Sequence, residues 1–234
     1  MKLTVPLVLL GVLLGGLARP ETPSEYVVVL HGMGRTRHSM AVLAGHLRRE
    51  GYGVVCETYP GRRLPVERLA SEWLAPLVRE RVPAGARVHF VTHSLGGILV
   101  RHYLSVETPP NLGRVVMLAP PNQGSELSDF MGRWALPRLW TGPALAQLGT
   151  GADSAPNRLG PIAAECGVIA GNRSLNPLFS CLFDGPNDGK VSVARTRLAG
   201  MKEHLEVPYS HTWLMNRAYC REKVTRFLRE GTFQ

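Results

Sequence analysis

The stretch that most constrains this chain is residues 87–97, RVHFVTHSLGG. Val88, Phe90 and Val91 form a short apolar run, rich in β-branched and aromatic side chains, of the kind that makes a buried strand. The run ends at Ser94, and an apolar segment of helical spacing follows over 95–106, with Gly96 and Gly97 near its start. A strand that passes into a helix through one serine must turn sharply. Small residues are needed where the two arms come close. A turn of this type needs a sheet whose strands alternate with helices.

The rest of the chain has that rhythm. Residues 26–30 (YVVVL) read as a buried parallel strand running into His31-Gly32. Met40, Val42, Leu43 and Leu47 recur at helical spacing over 39–50, and Gly51 stops the helix. A second strand is expected over 52–59. A helix is expected over 65–81, with Leu69, Trp73, Leu77 and Val78 on one face and Pro76 disturbing its middle. Further strands are expected at 113–119, 167–170 and 205–207, and a closing helix at 212–229. Alternation of this kind predicts a doubly wound α/β sheet with helices on both faces. Residues 121–165 break the pattern. They hold Phe130, Met131, Trp134, Leu136, Leu139 and Trp140, followed by a Gly/Pro-rich tract. Two readings stand for this insertion: a cap over a site, or a small packed subdomain. A cap lined with Leu and Trp would favour an acyl chain over a sugar.

Residues 1–18 read separately. Met1-Lys2 gives a positive start, 3–17 is almost wholly apolar, and Gly16 and Ala18 suit cleavage after Ala18. This is the pattern of a secretory signal peptide, with residues 19–234 as one domain. The alternative is an uncleaved anchor, but the apolar run is shorter than the roughly 20 residues of a spanning helix. Export to the periplasm or beyond is therefore expected. Formal net charge is +9, and cleavage would remove only one positive side chain, Lys2. Export argues against nucleic acid as the partner of so basic a chain and leaves peripheral contact with anionic membranes as the expectation, beside plain solubility. Of the four cysteines, Cys166 and Cys181 flank one expected strand and its loop and form the best candidate disulfide, while Cys56 reads as a small buried apolar residue. No metal-ligand spacing is present.

A serine at the mouth of such a turn lies beside free helix N–H groups, which favour developing negative charge. If Ser94 is a nucleophile, an acid and then a histidine should follow it in the chain. Asp129 and Asp153 fall in the insertion. Asp184 and Asp188 lie in the loop after 167–170, and Asp188, in the turn Pro-Asn-Asp-Gly-Lys, is favoured. Downstream, His211 precedes the last helix and is favoured over His204, which reads as a solvated strand-edge residue. His211 would move the proton and Asp188 would orient it. The backbone N–H groups of Leu95 and of Met33, the latter within His31-Gly-Met-Gly34, are the candidate oxyanion donors. His31 and His93 are assigned to holding loops.

Together, His31-Gly-Met-Gly34, Thr92-His-Ser-Leu-Gly-Gly97, Ala119-Pro-Pro-Asn-Gln-Gly-Ser125, Asn187-Asp-Gly189 and His211 resemble the α/β-hydrolase superfamily, and within it small bacterial triacylglycerol lipases and esterases. The resemblance implies hydrolysis of carboxylic esters through an acyl-serine intermediate, without cofactor or metal. It also implies a reduced, mostly parallel sheet of about six strands. Thr92 departs from the glycine usual two positions before the serine. Two other functions stay open: acyl transfer by the same residues to an alcohol or amine, and non-catalytic lipid binding on this fold.

Overall fold

The computed structural model describes residues 23–133 and 142–234. The segment 1–18, and Trp134, Leu136, Leu139 and Trp140 of the insertion, lie outside the described residues. Six strands form one sheet: β1 (Glu25–Leu30), β2 (Gly53–Val55), β3 (Arg87–His93), β4 (Leu112–Leu118), β5 (Cys166–Gly171) and β6 (Glu203–Val207). Their order is β2-β1-β3-β4-β5-β6, and every neighbouring pair is parallel.

Side chains alternate across the strands, so each central strand feeds two cores. Val28 and Leu30 of β1, Phe90 of β3 and Met117 of β4 face one layer. There they pack with Leu69 and Leu74 of α2 (residues 66–81) and Ile98 and Leu99 of α3 (Leu95–Val106). Val27 and Val29, Val91 and Val116 face the other, against Leu43 and Leu47 of α1 (Ala41–Arg49) and Val224 and Phe227 of α4 (Ala218–Glu230). All of these side chains are fully buried. Each contributes about 1.5–3 kcal/mol by leaving water, which makes the sheet the rigid part of the molecule.

Helix α2 runs through three segments, Val66–Arg68, Leu69–Leu74 and Ala75–Arg81, and the middle one is a wide π turn. Pro76 explains it. Proline cannot donate to the carbonyl of Glu72 and its ring would press on it. The wider turn, in which Ala75 N–H reaches Ala70 O, relieves that clash without breaking the helix.

Several expectations need correction. The second strand covers only Gly53–Val55, because the chain then leaves the sheet toward Tyr59, whose hydroxyl donates to His31 O (2.6 Å). Residues 212–217 do not join the last helix. They form a 3₁₀ turn at Leu214–Asn216, and Arg217 is extended before α4 begins. No disulfide joins Cys166 and Cys181: Cys166 is buried within β5 and Cys181 lies on the surface. Burial pushes the Cys166 thiol up to about 12, which keeps it protonated. Cys56 is only half-buried, beyond the end of β2, with its Sγ 3.8 Å from Arg37 O. Among the described residues no helix is long and apolar enough to cross a membrane.

Candidate active site

The carboxyl ends of β1, β3, β4, β5 and β6 supply the loops that converge on Ser94. Ser94 has φ 52° and ψ −122°, a region that non-glycine residues avoid and that costs about 1–3 kcal/mol. The neighbouring strand ends similarly, with Ala119 at φ 47° after β4. The surrounding backbone holds both residues in place. Ser94 N–H donates to Leu118 O (2.9 Å), Gly97 N–H to Ser94 O (2.9 Å), and Ala119 N–H to Ile169 O (2.8 Å).

The glycines around the turn have separate tasks. A Cβ on Gly96 would meet Leu30 Cβ at 2.9 Å and His31 O at 3.1 Å, so Gly96 lets α3 settle against β1. A Cβ on Gly97 would stand 3.3 Å from Thr92 Oγ1. Gly97 therefore makes the room for Thr92, the position where the sequence departs from the usual glycine. Gly32 brings the β1 loop close to the serine: a Cβ there would lie 2.7 Å from His93 Nδ1 and 3.1 Å from Ser94 Cβ.

His211 and Asp188 meet where the sequence placed them. His211 Nδ1 donates to Asp188 Oδ2 (2.7 Å), and both groups are buried. Asp188 Oδ1 accepts from the backbone N–H groups of Lys190 (2.9 Å) and Val191 (2.8 Å), and Asp188 O accepts from His211 N–H (3.1 Å). The carboxylate thus has a donor on each oxygen, which suits its ionised form. With Nδ1 protonated toward Asp188, Nε2 of His211 is left able to accept a proton. Asp184, the alternative acid, is exposed. His204, the alternative base, is not a solvated edge residue. It is half-buried on β6 and bonded through Nε2 to Thr196 Oγ1 (2.8 Å). The Thr196 hydroxyl already donates to Val193 O (2.7 Å), so His204 is the donor.

The two loop histidines hold backbone. His93 Nε2 donates to His211 O (3.0 Å), with the two rings 4.7 Å apart. Full burial, reinforced by the nearby His211 ring, holds its pKa well below the ordinary histidine value, so it stays neutral. His31 stacks on Tyr59 at 4.1 Å, donates from Nδ1 to Gly32 O (2.9 Å) and accepts Tyr59 N–H at Nε2 (3.2 Å). Burial lowers its pKa as well.

A cavity of about 280 Å³ opens at Ser94. Met33, Ser94 and His211 line one part, and Leu127, Met131, Leu145, Leu148 and Phe179 give an apolar wall from the insertion and the β5–β6 connection. Leu95, directly after the serine, is the first residue of α3 and its N–H has no acceptor within the helix. Among the described residues no cluster of three His, Cys, Asp or Glu side chains stands close enough to hold a metal ion.

Arg101, on α3, was not singled out by the sequence. It is buried and spreads its guanidinium over the carbonyls of Asn122 (2.8 Å), Pro156 (3.1 Å) and Leu159 (2.9 Å). It ties the insertion to the helix that follows the serine. Burial lowers its pKa to about 10, so it remains a cation at neutral pH. An arginine seven residues after Ser94 carries no mark in sequence that separates it from a surface charge.

No curated protein sequence matches the chain. Solved structures do. The mature form of lipase BlEst2 from Bacillus licheniformis is 22% identical with a TM-score of 0.70, over 92% of this chain and 95% of that one. Phospholipase PlaB from Legionella pneumophila is 21% identical with a TM-score of 0.60, over 74% of this chain and 45% of that one. The metagenomic carboxyl esterase MGS0156 is 21% identical with a TM-score of 0.60, over 83% and 68%. These likenesses establish a shared fold, and the model of the alpha/beta hydrolase family matches residues 27–223, most of the chain, so the protein belongs to the alpha/beta hydrolase family.

Proposed function

We propose that the protein hydrolyses carboxylic esters of apolar acyl groups, with Ser94 as nucleophile, His211 as general base and acid, and Asp188 as the group that orients His211. The observation that carries this reading is the strained Ser94 sharing one cleft with a histidine whose far nitrogen is fixed by a buried aspartate. In the proposed cycle His211 Nε2 takes the Ser94 proton as Oγ bonds to the ester carbonyl carbon. The carbonyl oxygen becomes an oxyanion beside the N–H groups of Met33 and Leu95. The C–O bond to the alcohol breaks, and the alcohol leaves with the proton held by His211. Water, deprotonated by the same nitrogen, attacks the acyl carbon, the bond to Ser94 Oγ breaks, Oγ takes back the proton from His211, and the carboxylic acid leaves.

The apolar wall supports an acyl chain as the group bound next to Ser94. Similarity in fold to proteins described as lipases, a phospholipase and a carboxyl esterase supports the same chemistry. On this reading residues 121–165 cap the site, and the apolar start of the chain supports activity outside the cytoplasm. The test is a panel of esters of increasing acyl length, run on wild type and Ser94→Ala. Turnover that rises with chain length and disappears in the folded variant is the expected result. Undiminished turnover in Ser94→Ala would overturn the assignment.

A further inference from the structure

Two cavities meet at Arg35. The acyl cleft is lined on one side by Arg35 and Lys190. A second cavity of about 310 Å³ lies next to it and is lined by Arg35, Arg62, Arg63, His31 and Tyr59. No Asp or Glu is among the described residues that line either cavity. Many other basic side chains are paired with acids. Arg37, two residues beyond Arg35, pairs with Glu57 (3.4 Å), and Arg68, Arg79, Arg158, Arg195 and Arg229 each have a carboxylate within 3.0 Å. No described carboxylate pairs with Arg35, Arg63 or Lys190. The one acid near Lys190, Asp188, is occupied by His211 and two backbone N–H groups.

Unneutralised cations crowded round a concave site repel one another and are stabilised by an anion that enters between them. Guanidinium groups suit phosphate in particular, because their planar fork gives two parallel hydrogen bonds to one group. Arg35 lines both the cleft at Ser94 and the arginine-lined cavity. One molecule could therefore fill both, with its acyl chain on the wall and its phosphate among the arginines.

We infer that Arg35, Arg63 and Lys190 form an anion subsite that selects acyl esters bearing a phosphate on the alcohol part. The inference rests on the ester-hydrolase reading above and names the substrate class of that same site. The phosphate could belong to a phospholipid or to a soluble phosphorylated ester. It stays on the leaving alcohol, and only the acyl C–O bond breaks.

The experiment compares two matched pairs, each below its aggregation threshold: dihexanoylphosphatidic acid against dihexanoylglycerol, and 1-butyrylglycerol 3-phosphate against 1-butyrylglycerol. The phosphorylated member should have a kcat/KM at least about tenfold higher at low salt, and added salt should shrink that ratio. Arg35→Gln and Arg63→Gln should each reduce the ratio, and Arg35→Lys should restore part of it. A preference in both pairs supports a soluble phosphorylated ester as well as a lipid, and a preference in the lipid pair alone assigns the lipid. Equal rates within both pairs, unaltered by the variants, would overturn the subsite while leaving the hydrolase intact. Calorimetric titration of dihexanoylphosphatidic acid into Ser94→Ala separates the two claims. If no ester is turned over, binding that weakens in Arg35→Gln and Arg63→Gln backgrounds still supports the subsite, and absence of binding overturns it.

Discussion

The strand ends that hold Ser94 and the insertion that faces it rely on polar side chains to different degrees. The strand ends are fixed by packing. Ser94 and Ala119 are kept at positive φ by main-chain bonds to the adjacent strands, and the layers beneath them are fully buried apolar side chains. The insertion packs Ala144, Leu148, Ala155 and Ile162 into the core and is further tied by polar side chains. Its described helices are short: Glu126–Gly132, Pro143–Ala146 and Ala155–Arg158. Arg101 gathers its carbonyls, Asp129 accepts from Thr150 N–H (3.0 Å) and hydroxyl (2.7 Å), and Gln147 bridges Val66 N–H (2.7 Å) and Glu67 (2.7 Å). Glu126 takes Arg195 (2.7 Å), which links the insertion to the segment beyond Asp188. Chemistry placed on the rigid half tolerates little displacement.

The largest effect expected from breaking this contrast is chemical. Asp188→Asn keeps the size of the side chain but supports the wrong His211 tautomer, and kcat should fall by roughly 10⁴-fold with the melting transition retained. Steady-state kinetics on a soluble ester checks it, and a loss below tenfold would remove Asp188 from the orienting role.

Next is the clamp. Arg101→Leu leaves buried carbonyls of Asn122, Pro156 and Leu159 without their donor and should cost about 3 kcal/mol. Amide hydrogen exchange should show the loosening concentrated in residues 142–165. Equal loosening across β3 and α3 would mean that the two halves are not held separately.

Acid should act on the strand side. His89 is fully buried on β3, and burial, helped by Arg87 and Arg114, lowers its pKa to about 4. The unfolded chain takes up that proton near pH 6.5 and the folded chain does not. Stability is therefore complete above pH 6.5 and declines as the pH falls toward 4, by up to about 3 kcal/mol from this residue. His31 and His93, also lowered, add in the same direction. Urea midpoints between pH 7 and 4.5 measure the slope, and His89→Gln should flatten it. An unchanged slope would show that His89 is not the group responsible.

The smallest effect concerns the serine turn itself. Gly97→Ala would bring a methyl 3.1 Å from Pro120 Cβ and 3.3 Å from Thr92 Oγ1, for a cost of about 1–2 kcal/mol. Thr92→Ala in the same chain should recover part of that cost. A double-mutant cycle with no coupling would show that Gly97 is not what accommodates Thr92.

The same contrast explains what could be read in the sequence. Strand alternation, the turn at Ser94 and the meeting of Asp188 with His211 were legible, because each rests on local pattern: short continuous apolar runs, glycines at close approaches, and the tight Asp188-Gly189 turn. What failed depends on partners far along the chain. Cys166 looked like half of a disulfide, but β5 buries it in the sheet. His204 looked solvated, but Thr196, on a short helix between the acid loop and β6, covers it. The last helix starts later than its periodicity suggests, because the chain after His211 is taken up by a 3₁₀ turn that seats Leu214 and Met215 in the core. The surroundings of Arg101, Arg35, Arg63 and Lys190 were illegible for the same reason: charge is visible in sequence, and the carboxylates or carbonyls around it are not.

The most direct test of the central claim is labelling with a fluorophosphonate probe, followed by mass spectrometric location of the adduct. A single adduct on Ser94, lost in Ser94→Ala and strongly slowed in His211→Ala, is the expected result. A folded protein that takes no adduct, or takes it at another residue, would contradict the account.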